Sequence, residues 1–356
     1  MIRWRAGVVT AVLAEWTGTV ELAVRLDDGA AVPALAYPEL VGRPQVGDEV
    51  LLNVTALELG LGTGGHAMVV AVPGALPADL DGAGHVVKAR YSPLQATVLA
   101  VDEQGSPHHG ALADADDLGG MPVVVADLHS ALPAVLAAVL ADRPGTPVAY
   151  VMTDGGALPL WYSRTVDGLR RAGWLAGTVT TGQAFGGDLE AVTVHTGLLA
   201  ARHVLGARLA VVVQGPGNVG TDTRWGFSGV AAGEVVNAVA ALGGRPVAAL
   251  RISGADARAR HRGVSHHSRT AYGRVAVAPA DVVVPRLDEP LAGTVAGQLA
   301  EIGDRHRLVS VDADDLLPAL AACPVPLSTM GRGLGADPAY FLAAAAAGRH
   351  AAALLG

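Results

Sequence analysis

Two hydrophobic rhythms divide the chain. Over residues 1–75, apolar and polar positions alternate in short runs at 4–13, 17–26, 29–36, 48–55 and 66–72, broken by Asp28-Gly29 and Gly47-Asp48. A period of two marks half-buried strands, and five of them without an intervening helix predict a small all-β barrel. Residues 76–118 form a connecting segment rich in Pro, Gly and Asp, with one predicted strand at 96–102. From 119 the rhythm changes. Continuous apolar runs at 121–126, 147–152, 175–180, 208–213, 246–252, 281–284 and 307–311 alternate with helix-period segments at 131–141, 158–172, 188–205, 228–242, 292–302, 313–321 and 337–347. Strands apolar on both faces are covered on both faces. Residues 119–356 are therefore expected to form an α/β domain on a mostly parallel, doubly wound sheet. A β/α barrel is the alternative, because the number of units is close to eight.

Composition narrows the chemistry. Of 356 residues, Lys88 is the only lysine against 24 arginines, and no G-x-x-x-x-G-K-[ST] phosphate loop occurs. Cys323 is the only cysteine. Internal disulfides and thiolate zinc clusters are excluded, so any divalent metal would sit among His, Asp and Glu. The cofactor is otherwise unknown. The N-terminal apolar stretch is short and interrupted by Glu15 and Trp16, and no run long enough to span a membrane appears. The expectation is a cytoplasmic protein without a membrane partner, and the low charged content, 16%, points to a homo-oligomer. Nucleic acid is not an expected partner. The barrel carries four Arg against eight acidic residues, and the whole chain has a formal charge of −8.

The unusual residues all follow predicted strands. Asp127-Leu128-His129 follows the first, Thr153–Gly156 the second, Thr180–Glu190 the third and Gly215–Thr223 the fourth. In parallel α/β sheets, ligands bind at the carboxyl ends of strands, so these loops are expected to build one site. Gly215, Gly217, Asn218, Gly220 and Thr221 read as an anion-binding loop, with a tight glycine turn as the plain alternative. Asp154, Asp188 and Glu190 could line the site as bases or metal ligands, or simply brace turns and helix starts. Gln183 belongs to the same set.

Residues 251–274 follow the fifth strand and hold six Arg, three His and one Asp. Arg258, Arg260 and Arg262 are expected to hold an anion, unless they are paired internally with Asp222, Asp256 and Glu190. His261 or His266 would be the general acid or base, with Asp154 orienting it or binding a metal. Adjacent histidines usually diverge, so His266 and His267 are not expected to share one ion. A serine nucleophile at Ser265 or Ser228 ranks low, because no G-x-S-x-G elbow is present.

Three motifs, D-x-R-x-R-H-x-G-x-S-H-H at Asp256–His267, Q-A-F-G-G-D-x-E-A-V at Gln183–Val192 and G-P-G-N-V-G-T at Gly215–Thr221, resemble an uncharacterised bacterial domain-of-unknown-function family, number 3866. The resemblance covers nearly the whole chain and carries no activity. Two readings stay open. One is an enzyme that binds a small phosphorylated or carboxylated ligand and performs His/Asp acid–base hydrolysis or group transfer, with metal assistance as an option. The other is a non-catalytic sensor or assembly protein with an Arg-rich effector pocket.

Overall fold

The structure is a computed structural model that describes residues 1–61, 64–79, 82 and 84–356. Part of the connection expected at 76–118 therefore lies outside the described residues. The chain separates into two compact units. One comprises Met1–Val98 with Trp161–Asp167, the other Leu99–Leu160 with Gly168–Gly356.

The first unit holds a closed five-stranded barrel of Trp4–Trp16, Thr19–Leu26, Ala31–Ala36, Glu49–Asn53 and Ala67–Ala71. The period-two pattern explains it. Leu22, Val24 and Leu26 are buried on alternate positions of one strand, Val50 and Leu52 on another, and together they fill the interior. Closure also removes the exposed strand edges that would otherwise invite aggregation. The Trp161 carbonyl accepts hydrogen bonds from Trp16 Nε1 (2.6 Å) and Thr19 Oγ1 (2.8 Å), which joins a distant segment to this unit.

The second unit is built on an eight-stranded sheet whose pairings are all parallel. From edge to edge its strands are Leu189–Glu190, Gly177–Thr180, Val148–Thr153, Leu209–Gln214, Pro122–Val125, Arg245–Ala249, Asp281–Pro285 and Arg307–Val311. The sheet is open, which corrects the β/α barrel alternative. Among the described residues its outermost strands, Leu189–Glu190 and Arg307–Val311, do not pair with each other, and the outer side of Leu189–Glu190 carries only an isolated bridge between Glu190 and Ala100. The central strands are buried along their length, and Val123, Val124, Val125, Val151, Val211 and Val212 are all 0% exposed. Each such side chain contributes about 1.5–3 kcal/mol of burial, which is why continuous apolar runs mark these strands.

Two departures from the predicted elements lie at the strand-end loops. The helix expected at 188–205 begins only at Val194, where Thr193 Oγ1 caps it by accepting the Thr196 amide. Residues Leu189–Glu190 instead extend the sheet, because the Asp188 carboxylate is held by the amide and hydroxyl of Thr178 at 2.9 and 2.8 Å. The Arg/His segment also contains an unpredicted helix, His266–Thr270, which continues into a π-helical turn at Ala271–Val275.

Strand order defines a switch point. The connection leaving Pro122–Val125 runs through helix Leu132–Asp142 to Val148–Thr153 on one side. The connection leaving its neighbour Leu209–Gln214 runs through helix Ala231–Ala241 to Arg245–Ala249 on the other. Right-handed crossovers put these helices on opposite faces and leave a crevice between the two strand ends.

Candidate functional site

Asp127 stands two residues beyond the end of Pro122–Val125, at that crevice, and is 3% exposed. Its Oδ2 is buried, and its nearest ionic partner is His267 Nδ1 at 3.5 Å, longer than a well-formed hydrogen bond. Burial alone would raise the Asp127 carboxyl. The His267 contact and the Arg251 charge outweigh it and hold the group below the ordinary carboxylate value. Gln214, at the end of Leu209–Gln214, donates from Nε2 to the Asp127 carbonyl (2.9 Å). A cavity of about 10 Å³, room for about one water, is lined by Asp127, Gln214, Thr153 and Ser228 among others.

The opposite wall comes from the Arg/His segment. Arg251 follows Arg245–Ala249 and is 4% exposed. Its amide donates to Ser268 Oγ (2.9 Å) and its carbonyl accepts from the Ser265 amide (2.8 Å). Those bonds fix the start of helix His266–Thr270 against the strand end. Tyr272 OH, in the π turn, donates to the Val125 carbonyl (2.8 Å) and ties the same segment to the strand preceding Asp127. Such turns recur at functional sites.

Three imidazoles meet here. Ring centroids of His261 and His266 are 5.0 Å apart, His261 and His267 4.9 Å, His266 and His267 4.4 Å. The adjacent histidines therefore converge, contrary to the expectation that they diverge. Ser265 causes this. Its Oγ accepts the His267 amide as the helix cap and also contacts His261 Nδ1 at 2.7 Å. Phe227 stacks on His267 with centroids 3.8 Å apart and planes 1° from parallel, which fixes the ring. Burial, followed by the charges of Arg251 and Arg258, pushes His261 down to about 3. Burial, followed by His267 and Arg260, pushes His266 down to about 4. Both rings are neutral at pH 7. His266 Nε2 is buried without a hydrogen-bond partner.

The predicted arginines take separate positions. Arg258 forms a bidentate pair with Asp256 (3.0 and 2.9 Å), and Arg260 pairs with Asp222 at 2.6 Å. Asp256 is 1% exposed and also meets Arg332 (3.2 Å) and Arg251 (3.7 Å); Arg258, followed by Arg332, holds its carboxyl far below the usual range. Arg262 is exposed, with one contact to the Asp256 carbonyl at 3.5 Å. Residues Ala259–His261 form a 3-10 turn, which buries His261. Three guanidinium nitrogens of the segment, Arg251 Nη2, Arg260 Nε and Arg269 Nε, are buried without a hydrogen-bond partner.

The glycine-rich loop folds on itself as a small hairpin. The Thr221 amide donates to Gly226 O (2.7 Å), Val219 N donates to Ser228 Oγ (3.1 Å), and Gly220 bridges Phe227. Gly217 has φ of +91°, which disfavours any side chain. Gly215 lies where a Cβ would come within 2.8 Å of Leu158. Asn218 connects the loop to the imidazoles. Its Oδ1 accepts from Ser228 Oγ (3.0 Å), and its Nδ2 lies 3.4 Å from His267 Nδ1.

Asp154 braces a turn. Its Oδ1 accepts the Gly156 and Ala157 amides (3.0 and 2.9 Å) and its Oδ2 the Gln183 amide (3.1 Å). Asp188 joins Thr178 and Arg170. Glu190 accepts from Thr180 Oγ1 (2.8 Å) and the Gly186 amide (2.6 Å). All these loops leave the carboxyl ends of parallel strands and so share one sheet edge. Sequence reasoning places Asp127 in a site loop and Arg251 and His267 in the Arg/His segment, but gives none of the three a role. The signal for Asp127 was its place directly after the first α/β strand.

No curated protein and no solved structure matches this chain. A family profile described as "Protein of unknown function (DUF3866)" matches residues 33–348. The motifs of the crevice, Gly215–Thr221 and Asp256–His267, fall inside that span, and the chain belongs to this family.

Proposed function

We propose that the chain is an enzyme acting on a small anionic ligand, phosphorylated or carboxylated, at the crevice between the ends of Pro122–Val125 and Leu209–Gln214. The reaction class is hydrolysis or group transfer, with proton handling by the Asp127–His267 pair and by His261 and His266. The observation that carries this reading is the Asp127 carboxylate, buried at the switch point 3.5 Å from His267 Nδ1. A buried carboxylate beside an imidazole, with perturbed titration, is the arrangement that acid–base chemistry requires. Buried unpartnered nitrogens on Arg251 and Arg260 support an anion as the ligand, since orphaned guanidinium donors are costly to leave unmade. Asp154 on this reading is a positioning residue, because its oxygens already serve three amides.

The sensor reading draws support from the pairing of Arg258 with Asp256 and of Arg260 with Asp222, which compensates much of the cationic segment internally. Turnover separates the two. A panel of phosphate and carboxylate esters is incubated with the wild-type chain and with Asp127→Asn. The enzyme reading expects substrate depletion that falls by about 10²–10⁴-fold in the variant. Binding without depletion of any panel member would favour the sensor.

A further inference from the structure

We propose that His261, His266 and His267 form a binding site for a divalent transition metal. Each offers a ring nitrogen, and the three nitrogens lie within 4.8 Å of one another. Around zinc, imidazole nitrogens in a tetrahedral shell sit about 3.3 Å apart, so modest ring rotations complete the set. Imidazole ligands suit zinc, cobalt, nickel, copper or iron rather than magnesium or calcium. The only thiol, Cys323, is not part of the cluster.

Three further features support a metal over a purely packed aromatic group. His266 Nε2 is buried without a hydrogen-bond partner, and a buried unmade polar group costs about 1–3 kcal/mol. Asp127 Oδ2 lies 3.5 Å from His267 Nδ1, and a carboxylate beside the outer nitrogen is a common device for orienting metal-binding imidazoles. Ser265 Oγ plays the same part for His261 Nδ1 at 2.7 Å. Nearby cationic charge opposes a metal, and it is offset in part by Asp256 beside Arg251 and Arg258, by Asp222 beside Arg260 and by Glu301 beside Arg269.

Three protein ligands leave coordination positions open, the pattern of catalytic rather than structural sites. What the metal does there rests on the enzyme reading above. With a metal in place the imidazoles are ligands, and the proton handling assigned to them passes to metal-bound water. Whether the metal binds does not depend on that reading.

The test uses the full chain, stripped with chelator and titrated with Co²⁺ and, separately, Zn²⁺. Expected are stoichiometric binding and the visible absorption bands of low-coordinate Co²⁺. His266→Gln should lose both. Asp127→Asn, which only orients His267, should weaken binding by about 10- to 100-fold. His195→Ala, on an exposed helical position, should change nothing. Circular dichroism identifies any variant that has not folded, and in that case His261→Gln takes its place. The proposal is overturned if the folded wild-type chain binds neither metal stoichiometrically, or if His195→Ala weakens binding as much as His266→Gln. Turnover that survives complete metal removal overturns the metal's catalytic role and leaves the enzyme reading standing. Metal binding without turnover of any substrate does the reverse.

Discussion

Asp127 Oδ2 and His267 Nδ1 lie 3.5 Å apart beyond the end of Pro122–Val125, whose connection and that of its neighbour Leu209–Gln214 run in opposite directions along the sheet. Asp127 arrives there on the Pro122–Val125 strand, and His267 arrives on a short helix anchored by Ser268, Ser265 and Tyr272. Topology delivers the carboxylate. Local capping delivers the imidazole.

The ion network beneath the site is expected to dominate local stability. Asp256 is 1% exposed and serves Arg251, Arg258 and Arg332. Asp256→Asn leaves the buried Arg251 charge uncompensated and should destabilise the chain by about 3–5 kcal/mol. Asp222→Asn breaks only the exposed Arg260 pair and should cost less than about 1 kcal/mol. Urea midpoints of the two variants decide this. Equal costs would mean that Asp256 is not an organising charge.

His129 supplies a pH dependence. Burial pushes it down to about 4, so the folded state holds it neutral while the unfolded chain protonates near its ordinary value of about 6.5. Its folded value is depressed, so the associated stability is fully present above about pH 6.5 and is lost as pH falls toward 4. At pH 5 the loss is about 2 kcal/mol. His129→Gln should therefore reduce the drop in unfolding free energy between pH 7 and pH 5 by about that amount. An unchanged drop would show that His129 does not titrate as described.

Gly233 holds a close approach. It lies in helix Ala231–Ala241, where a Cβ would sit 2.3 Å from the Ala271 carbonyl oxygen and 2.6 Å from Val275 Cβ. Alanine gains about 1 kcal/mol in helix propensity. Overpacking against backbone costs about 1–3 kcal/mol and should win. Gly233→Ala is expected to lower the melting temperature and, by displacing the π turn that follows His266–Thr270, to weaken Co²⁺ binding. A variant more stable than wild type would contradict the packing account.

Much of this architecture was legible in the sequence because burial leaves a period. The barrel strands and the seven longer sheet strands follow from alternation and from continuous apolar runs. Leu189–Glu190 escaped because two residues carry no period, and Asp188 imitates a helix cap while its carboxylate is held by Thr178. The Arg/His segment was recognisable as unusual by composition. Its geometry was not, since Arg258–Arg262 reads equally as an extended chain or a helix, whereas Ser265 capping and the 3-10 turn at Ala259–His261 fold the histidines together. Asp154 reads in the sequence as a base or metal ligand or as a turn brace, and its oxygens accept three backbone amides. Asp127 is legible as part of a strand-end loop, but its role is not, because strand order, which puts it at the switch point, is a long-range property.

The most direct test of the central claim is the melting temperature of the full chain with phosphate, pyrophosphate, a nucleotide and small carboxylates, at constant ionic strength. Constant ionic strength matters because screening alone relaxes a cluster of cations. The account predicts that at least one of these anions stabilises the chain, by about 2.7 kcal/mol at a hundred times its dissociation constant, and that Arg260→Ala weakens the effect. No shift beyond that produced by chloride, in either protein, would contradict an anion site at the crevice.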